Sequence, residues 1–264
     1  MTIRVRPAAV AGRFYPGRPD ELRKTVEGLL EGASRERSAA KAIIAPHAGY
    51  QYSGPVAASA YAWLAPAAGL VRRVMVAGPS HFWPVGGVAV PSVDAFDTPL
   101  GCVVVDDDAR RCALGVDGVV VDDVAHSREH SLEVQLPLII CVLGGVVVLP
   151  LAVGRSGAGV LAQVLERLWG GPETRVVIST DLSHYHPANV AAALDRRTAD
   201  QICRLEPPAD DDACGAAAVA GLLLAARRHE LSVRLLDLRN SADTAGDADR
   251  VVGYGAFAVV EPDH

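Results

Sequence analysis

Cysteine is scarce in this sequence, and its spacing argues against the usual structural uses of the thiol. The 264 residues include five cysteines, an odd number, and none of them form a Cys-x-x-Cys pair. A disulfide framework or a structural zinc site needs paired or closely spaced cysteines. We therefore expect reduced thiols in a cytoplasmic protein.

Long hydrophobic runs and an excess of positive charge are also missing. No stretch approaches the ~18 consecutive apolar residues of a membrane span, and "MTIRVRPAAVAGRFYPG" at the N-terminus lacks the apolar core of a signal peptide. The formal net charge is -6 with both signs well mixed, which offers no basic surface for nucleic acid or a membrane. We expect a small-molecule substrate or a partner protein instead.

Two motifs of common enzyme classes are absent. The glycine-containing stretches "GPVAAS" and "VGRSGAGV" have neither the Walker lysine nor the spacing of a dinucleotide fingerprint. No G-x-S-x-G sequence occurs, so there is no nucleophile elbow. Nucleotide-dependent enzymes and serine hydrolases are therefore disfavoured.

The sequence does contain short apolar runs rich in valine and isoleucine, with helical patterns between them. The runs lie around residues 41–45, 73–77, 86–90, 117–121, 146–149, 175–179, 232–238 and 251–260. The helical patterns are "PDELRKTVEGLLEG" with Asp20 as its cap, "SLEVQLPLIICVL", "GVLAQVLERLWG", "ANVAAALDRRTADQICRL" and "ACGAAAVAGLLLAARRHE". This alternation predicts a three-layer α/β fold with a largely parallel or mixed central sheet. We expect residues 1–264 to form one domain, with "GASRERSAA" as a surface connector.

Histidines follow three of the apolar runs, near the point where each run ends. They are His47 in "KAIIAPHAGY", His81 in "MVAGPSHFW" and His184 in "RVVISTDLSHYHP", where Asp181 lies three residues earlier. Ligands of open α/β sheets bind at the carboxyl ends of the strands, where the loops converge. Because neutral imidazole binds metal ions and also titrates near neutral pH, the pattern predicts a metal site or an acid–base centre.

A fourth histidine precedes the start of a predicted helix. In "REHSLEVQLP", Ser131 is expected to cap the helix, with Glu133 in the first turn and His130 just before it. His130 then either donates a hydrogen bond to an anionic substrate or intermediate, or has no role beyond the helix start. The remaining histidines are taken as structural: His126, His186, His229 and His264.

Seven motifs in order carry a family resemblance over nearly the whole chain. They are "FYPG", "APHAGYQYSG", "GPSHF", "DAFDTPLG", "EHSLEVQLP", "STDLSHYHP" and "RVVGYGA". The sequence resembles the Memo family, which in bacteria and archaea appears as protein B of the AmmeMemoRadiSam system. The resemblance implies a fold similar to class III extradiol ring-cleavage dioxygenases, which hold non-haem iron(II) with two histidines and one carboxylate. It also implies the other AmmeMemoRadiSam components as candidate protein partners.

The resemblance further implies His47 and His81 as metal ligands and His184 as the catalytic histidine that is not a ligand. The third ligand is a cysteine in the animal Memo protein and a glutamate in the dioxygenases. The matching position here is Thr244, with Asp243 beside it. A carboxylate is the better ligand, so either Asp243 supplies it or the site is incomplete; the alternative for Asp243 is a turn within its own loop. If one ion is shared, the ring nitrogens of His47 and His81 should lie within about 5 Å of each other.

Three functions are compatible with these features. The first is a dioxygenase-like oxidoreductase that uses iron(II), or else copper, on a small aromatic or related molecule, with His184, His130 and Asp181 moving protons. The second is a binding or scaffold protein that kept the fold without the chemistry. The third is a zinc-dependent hydrolase that uses the same histidines.

Overall fold

The computed structural model describes residues 3–34 and 39–261. The predicted connector "GASRERSAA" lies partly outside these residues, and His264 lies wholly outside them. The strands are β1 (Val5–Arg6), β2 (Ala42–Ala45), β3 (Arg73–Pro79), β4 (Val88–Val90), β5 (Ala95–Phe96), β6 (Val103–Val104), β7 (Val119–Val121), β8 (Val147–Val153), β9 (Thr174–Ser179), β10 (His184–His186), β11 (Ser232–Asn240) and β12 (Val251–Val260). The helices are α1 (Pro19–Glu31), α2 (Tyr50–Tyr61), α3 (Asp107–Ala113), α4 (Asp123–Ser127), α5 (His130–Glu133), α6 (Leu136–Leu143), α7 (Ala158–Leu168), α8 (Ala188–Cys203) and α9 (Ala216–Arg228).

A nine-stranded mixed sheet forms the centre of the fold. Its order is β10-β12-β2-β9-β3-β8-β4-β7, and β11 pairs with β12. The middle strands β2, β9, β3 and β8 are parallel to one another, while β12 and β4 join them in the antiparallel direction. The predicted central sheet, largely parallel or mixed, is therefore confirmed.

Helices cover both faces of this sheet, which explains why its central strands are continuous apolar runs. Along β3, Val74 and Val76 point to the face packed by α1, α2 and α6. Met75 and Ala77 point to the opposite face, which α3, α7, α8 and α9 cover. A strand buried on both faces has no polar side to display, so its sequence lacks the alternation of a half-exposed strand. The predicted three layers are confirmed.

Local helix details differ from the sequence expectations. The helix predicted over "SLEVQLPLIICVL" is two helices, α5 and α6, and the second has Pro137 in its first turn. Helix α1 begins at Pro19, and Arg18, rather than Asp20, occupies its N-cap without a side-chain hydrogen bond. Helix α2 was not predicted because Gly54 and Pro55 lie inside it. Packing compensates, since Gly54 lets the helix approach the adjoining α1 closely.

The N-terminal segment is tied to α5 by a buried carboxylate. Glu133 forms an ion pair with Arg6, and it accepts hydrogen bonds from the backbone N–H groups of Ala9 at 2.8 Å and Val10 at 3.0 Å. The Tyr15 hydroxyl donates to the same carboxylate at 2.6 Å. Glu133 therefore anchors α5, the helix that carries His130, instead of serving as a first-turn charge. No helix in the described part of the chain is both long and apolar enough to cross a membrane.

Candidate metal centre

The carboxyl ends of three parallel strands bring the predicted residues to one edge of the sheet. The strands β2, β9 and β3 are neighbours, and they are followed by His47, Asp181 and His81 respectively. Cys214, just before α9, packs onto this edge, where its sulfur accepts the Asp181 backbone N–H at 3.3 Å. The sheet thus fixes the roots of three of these segments, and Cys214 contacts them from the segment that precedes α9.

His47, His81 and Cys214 form a group that could hold a metal ion. Their candidate ligand atoms all lie within 4.8 Å of one another. Within the group, His47 Nε2 and Cys214 Sγ lie 3.3 Å apart, and the His47 and His81 rings are 5.3 Å apart at their centroids. His47 and His81 therefore lie as close together as a shared ion requires.

Hydrogen bonds fix the tautomer of His47. Its Nδ1 lies 2.9 Å from the hydroxyl oxygen of Ser179, and this hydroxyl donates its own proton to the carbonyl of Ser131 at 2.6 Å. The Ser179 oxygen must therefore accept from His47 Nδ1–H, which leaves the lone pair of Nε2 directed toward Cys214. Burial, assisted by the neighbouring His81, lowers the pKa of His47 to about 3, so the ring is neutral at pH 7.

Glu129 orients His81 in the same way. Its Oε1 lies 2.8 Å from His81 Nδ1 and its Oε2 accepts the His81 backbone N–H at 2.6 Å, while the carboxylate is only 1% exposed. Burial raises the pKa of this carboxyl, but the hydrogen bonds that it accepts from the His81 ring and from the backbone N–H groups of Ser131 and His81 outweigh that effect and bring it to about 2. An ionised carboxylate only accepts hydrogen bonds, so Nδ1 of His81 carries the proton and Nε2 is free to bind an ion.

Cys214 completes the group, and sequence reasoning missed it. Burial and then the charge of Asp181 raise the pKa of its thiol to about 12, so binding of an ion must displace the proton. The only signal available was the implied cysteine ligand of the animal relative. That signal pointed to Thr244 by position, whereas Cys214 arrives from the irregular segment between α8 and α9.

The structure does not bring Asp243 and Thr244 into either candidate metal cluster of the described residues. Asp243 Oδ2 accepts the Asn240 backbone N–H at 2.8 Å in a capping box of the short 3₁₀ helix Ser241–Asp243. The hydroxyl of Thr244 donates to the carbonyl of Ser241 at 3.1 Å. The loop's own backbone therefore uses both side chains, which is the alternative that the sequence left open for Asp243.

His130 lies against the metal group from the α5 side. Its ring stacks on His81 with a centroid distance of 4.7 Å, and its Nδ1 is 3.5 Å from Glu129 Oε1. His81, Glu129 and His130 form the second cluster that could hold an ion. Burial lowers the pKa of His130 to about 4. His130 is therefore a neutral imidazole next to the group at pH 7.

A cavity of about 730 Å³ opens onto this group, and His184 and Asp181 line it together with the three candidate ligands and His130. Asp181 Oδ1 accepts the His47 backbone N–H at 2.8 Å, and burial raises the pKa of its carboxyl. His184 is the first residue of β10 and belongs to neither candidate metal cluster of the described chain. The structure thus places all three predicted proton-transfer residues around one cavity, and their catalytic roles stay predictions.

Three of the histidines taken as structural lie within the described residues, and none of these three lines the cavity. His126 is buried with its Nε2 3.0 Å from the Ala89 carbonyl, and His229 stacks on Trp169 at 4.2 Å. His186 is an exposed residue of β10.

Comparison with known proteins gives a consistent family assignment. The model of the family described as "Memo-like protein" matches residues 6–258. A MEMO1 family protein of Methanopyrus kandleri is 34% identical, with 96% of this chain and 98% of the relative covered. A MEMO1 family protein of Methanosarcina barkeri is 35% identical, with 97% and 100% covered. A solved structure of an uncharacterized Escherichia coli K12 protein has a TM-score of 0.49 and 13% identity, covering 80% of this chain and 98% of that one.

Proposed function

Since the chain belongs to the Memo-like protein family, we propose that it is a metal-dependent enzyme that binds a small molecule in the cavity beside His47, His81 and Cys214. The observation that carries this proposal is the arrangement of these side chains. Both imidazoles use Nδ1 for a hydrogen bond and leave Nε2 free, and a thiol sulfur lies 3.3 Å from one of them. Ligating histidines in metalloproteins have this second hydrogen bond, which fixes ring orientation.

The donor set fits a transition metal ion. Two neutral imidazoles and one thiolate suit iron, copper and zinc, whereas magnesium and calcium prefer oxygen ligands. We propose iron(II) as the ion and a small aromatic or related molecule as the substrate. Bound iron would supply Lewis acidity and electron transfer at a substrate oxygen atom.

In this proposal, two side chains of the cavity exchange protons and a third positions a metal ligand. His130 is neutral at pH 7 and can accept a proton from a substrate hydroxyl. His184 lines the same cavity without belonging to the metal group, so it can exchange protons without releasing an ion. Asp181 holds the His47 backbone and thereby positions a ligand.

A zinc-dependent hydrolase is the second candidate, and Cys214 is the observation that favours it. Catalytic zinc sites use three protein ligands, including mixed cysteine and histidine sets, and keep one position for water. The scaffold hypothesis depended on a missing third ligand, so the position of Cys214 removes its main support. Partners from the AmmeMemoRadiSam system stay a prediction.

Metal analysis of the anaerobically purified protein tests the proposal. We expect about one equivalent of ion in the parent protein and in a Cys112→Ala control, whose cysteine is also half-buried but belongs to neither candidate metal cluster of the described residues. Cys214→Ala should lose most of the ion, because imidazole pairs alone bind weakly. Oxygen consumption with a catechol panel then distinguishes an iron oxidoreductase from a zinc hydrolase. Equal metal content in all three proteins would contradict the ligand assignment.

A further inference from the structure

The cavity wall contains an arginine whose charge is not neutralised. Arg250 lines the same cavity as the metal group, and its guanidinium lies 5.1 Å from the centroid of the Tyr185 ring. Across residues 3–34 and 39–261, the ion pairs of the fold do not include Arg250. Its planar N–H edge is therefore available to a ligand.

The strand pairing places this arginine next to β10. Arg250 directly precedes β12, and β10 pairs with the start of β12 through His184↔Val252 and His186↔Val251. The register shifts between these two pairs, so Tyr185 is an extra residue in the ladder. A bulge of this kind redirects a side chain.

The backbone conformation of Tyr185 indicates that the surrounding structure fixes the direction of its side chain. Its φ is 63°, in the left-handed region that a residue with a bulky side chain seldom adopts. Such a conformation persists only where surrounding structure over-determines it, and such sites cluster where ligands bind. Here the strained residue supplies the aromatic face over which Arg250 lies, beside His184 on the cavity wall.

The other residues that line the cavity restrict which class of ligand fits. Phe14, Tyr52 and Tyr254 also line the cavity, so a flat apolar ring finds aromatic neighbours there. The cavity lining also includes two acidic residues, the buried Asp181 and Asp247, and Asp247 accepts the backbone N–H of Asp249 at 3.0 Å. An acidic neighbour disfavours a doubly charged phosphate more than a singly charged carboxylate, and a guanidinium matches a planar carboxylate with two parallel hydrogen bonds.

We propose that the cavity takes an aromatic carboxylate, with the carboxylate bound by Arg250 and the opposite end of the ring facing His47, His81 and Cys214. This inference rests on the proposed function for the role of the metal group, but the arginine contact itself does not require an ion. It makes Arg250 a specificity-determining residue, and Tyr185 the side chain that positions it.

Calorimetric titration with two catechols tests the proposal. The probes are 3,4-dihydroxybenzoate and 4-methylcatechol, which share the ring and hydroxyl groups and differ in the carboxylate. With zinc-loaded parent protein, we expect the carboxylate to bind about tenfold more tightly, the value of a charged hydrogen-bonded contact. Arg250→Gln should abolish this preference and leave 4-methylcatechol affinity unchanged. The control is Arg128→Gln, since Arg128 is also exposed and lies 5.3 Å from an aromatic centroid, that of Phe82, outside the cavity.

The possible outcomes separate this inference from the proposed function. Equal affinity of the parent for both probes, or equal losses in the two arginine variants, would overturn the inference. Failure of the parent to retain zinc or iron would contradict the proposed function instead. Repeating the titrations with metal-free protein keeps the inference testable in that case, because the carboxylate preference and its dependence on Arg250 should survive without an ion.

Discussion

Replacing Glu129 with glutamine should weaken metal binding although Glu129 is not one of the proposed ligands. Oε2 accepts the His81 backbone N–H at 2.6 Å, while Oε1 accepts His81 Nδ1–H at 2.8 Å and the Ser131 N–H at 2.9 Å. Glutamine keeps one acceptor oxygen and places an NH₂ group where the other was. Whichever way the amide turns, an NH₂ group faces a donor of His81.

The size of the effect follows from what the carboxylate does for the His81 ring. If the NH₂ group faces Nδ1, the ring proton moves to Nε2, the atom that should bind the ion. If it faces the backbone, the loop that carries His81 loses a buried hydrogen bond. Loss of such an orienting partner typically costs about tenfold to hundredfold in metal affinity, or about 1.4 to 2.7 kcal/mol.

Zinc affinity measured by competition with a chromophoric chelator at pH 7.5 provides the assay, with Glu133→Gln as the matched control. Glu133 is 0% exposed and Glu129 is 1% exposed, but the partners of Glu133 are Arg6, Tyr15 and backbone N–H groups, with no histidine among them. The control should unfold at lower urea concentration, because it breaks a buried ion pair, and bind zinc as the parent does. Unchanged zinc affinity in Glu129→Gln, or an equal loss in both variants, would refute the reasoning.

Three further predictions concern single side chains. His184→Ala should abolish turnover and leave metal occupancy intact; loss of the ion, measured by elemental analysis, would make His184 a ligand. Asp243→Ala should lower the free energy of unfolding by about 1 kcal/mol, since it removes a cap, and leave zinc affinity unchanged; a tenfold weaker affinity would restore Asp243 as a ligand. Burial lowers the pKa of His126 from 6.5 to about 4, so the unfolded chain takes up its proton first as the pH falls. Because of His126, the free energy of unfolding of the parent should fall by about 3 kcal/mol between pH 6.5 and pH 4. Urea unfolding at the two pH values should show a loss that is smaller by this amount in His126→Gln.

The local patterns of the sequence were sufficient for eight of the nine strands of the main sheet, all except β10, and for two of the proposed ligands. Valine and isoleucine runs without polar alternation indicate strands buried on both faces, and all the predicted runs became strands of the main sheet. His47 and His81 follow two such runs, and parallel strands deliver their carboxyl ends to the same edge. Their proximity therefore depends on a rule of topology that can be applied to the sequence.

Long-range packing decided the rest of the candidate site. Cys214 follows no strand, and it reaches His47 only because α9 packs against the sheet. Asp243 has suitable chemistry for a ligand, but its own loop offers it a backbone N–H three residues away, and the local hydrogen bond forms. Glu129 is next to His130 in the sequence, yet its main partner is His81, which lies 48 residues away. The sequence by itself determined which strands end in histidine, because the apolar pattern of a buried strand is contained within a few consecutive residues. Tertiary structure decided the third donor, Cys214, and the carboxylate that orients His81, Glu129, because their contacts join segments that are distant in the sequence.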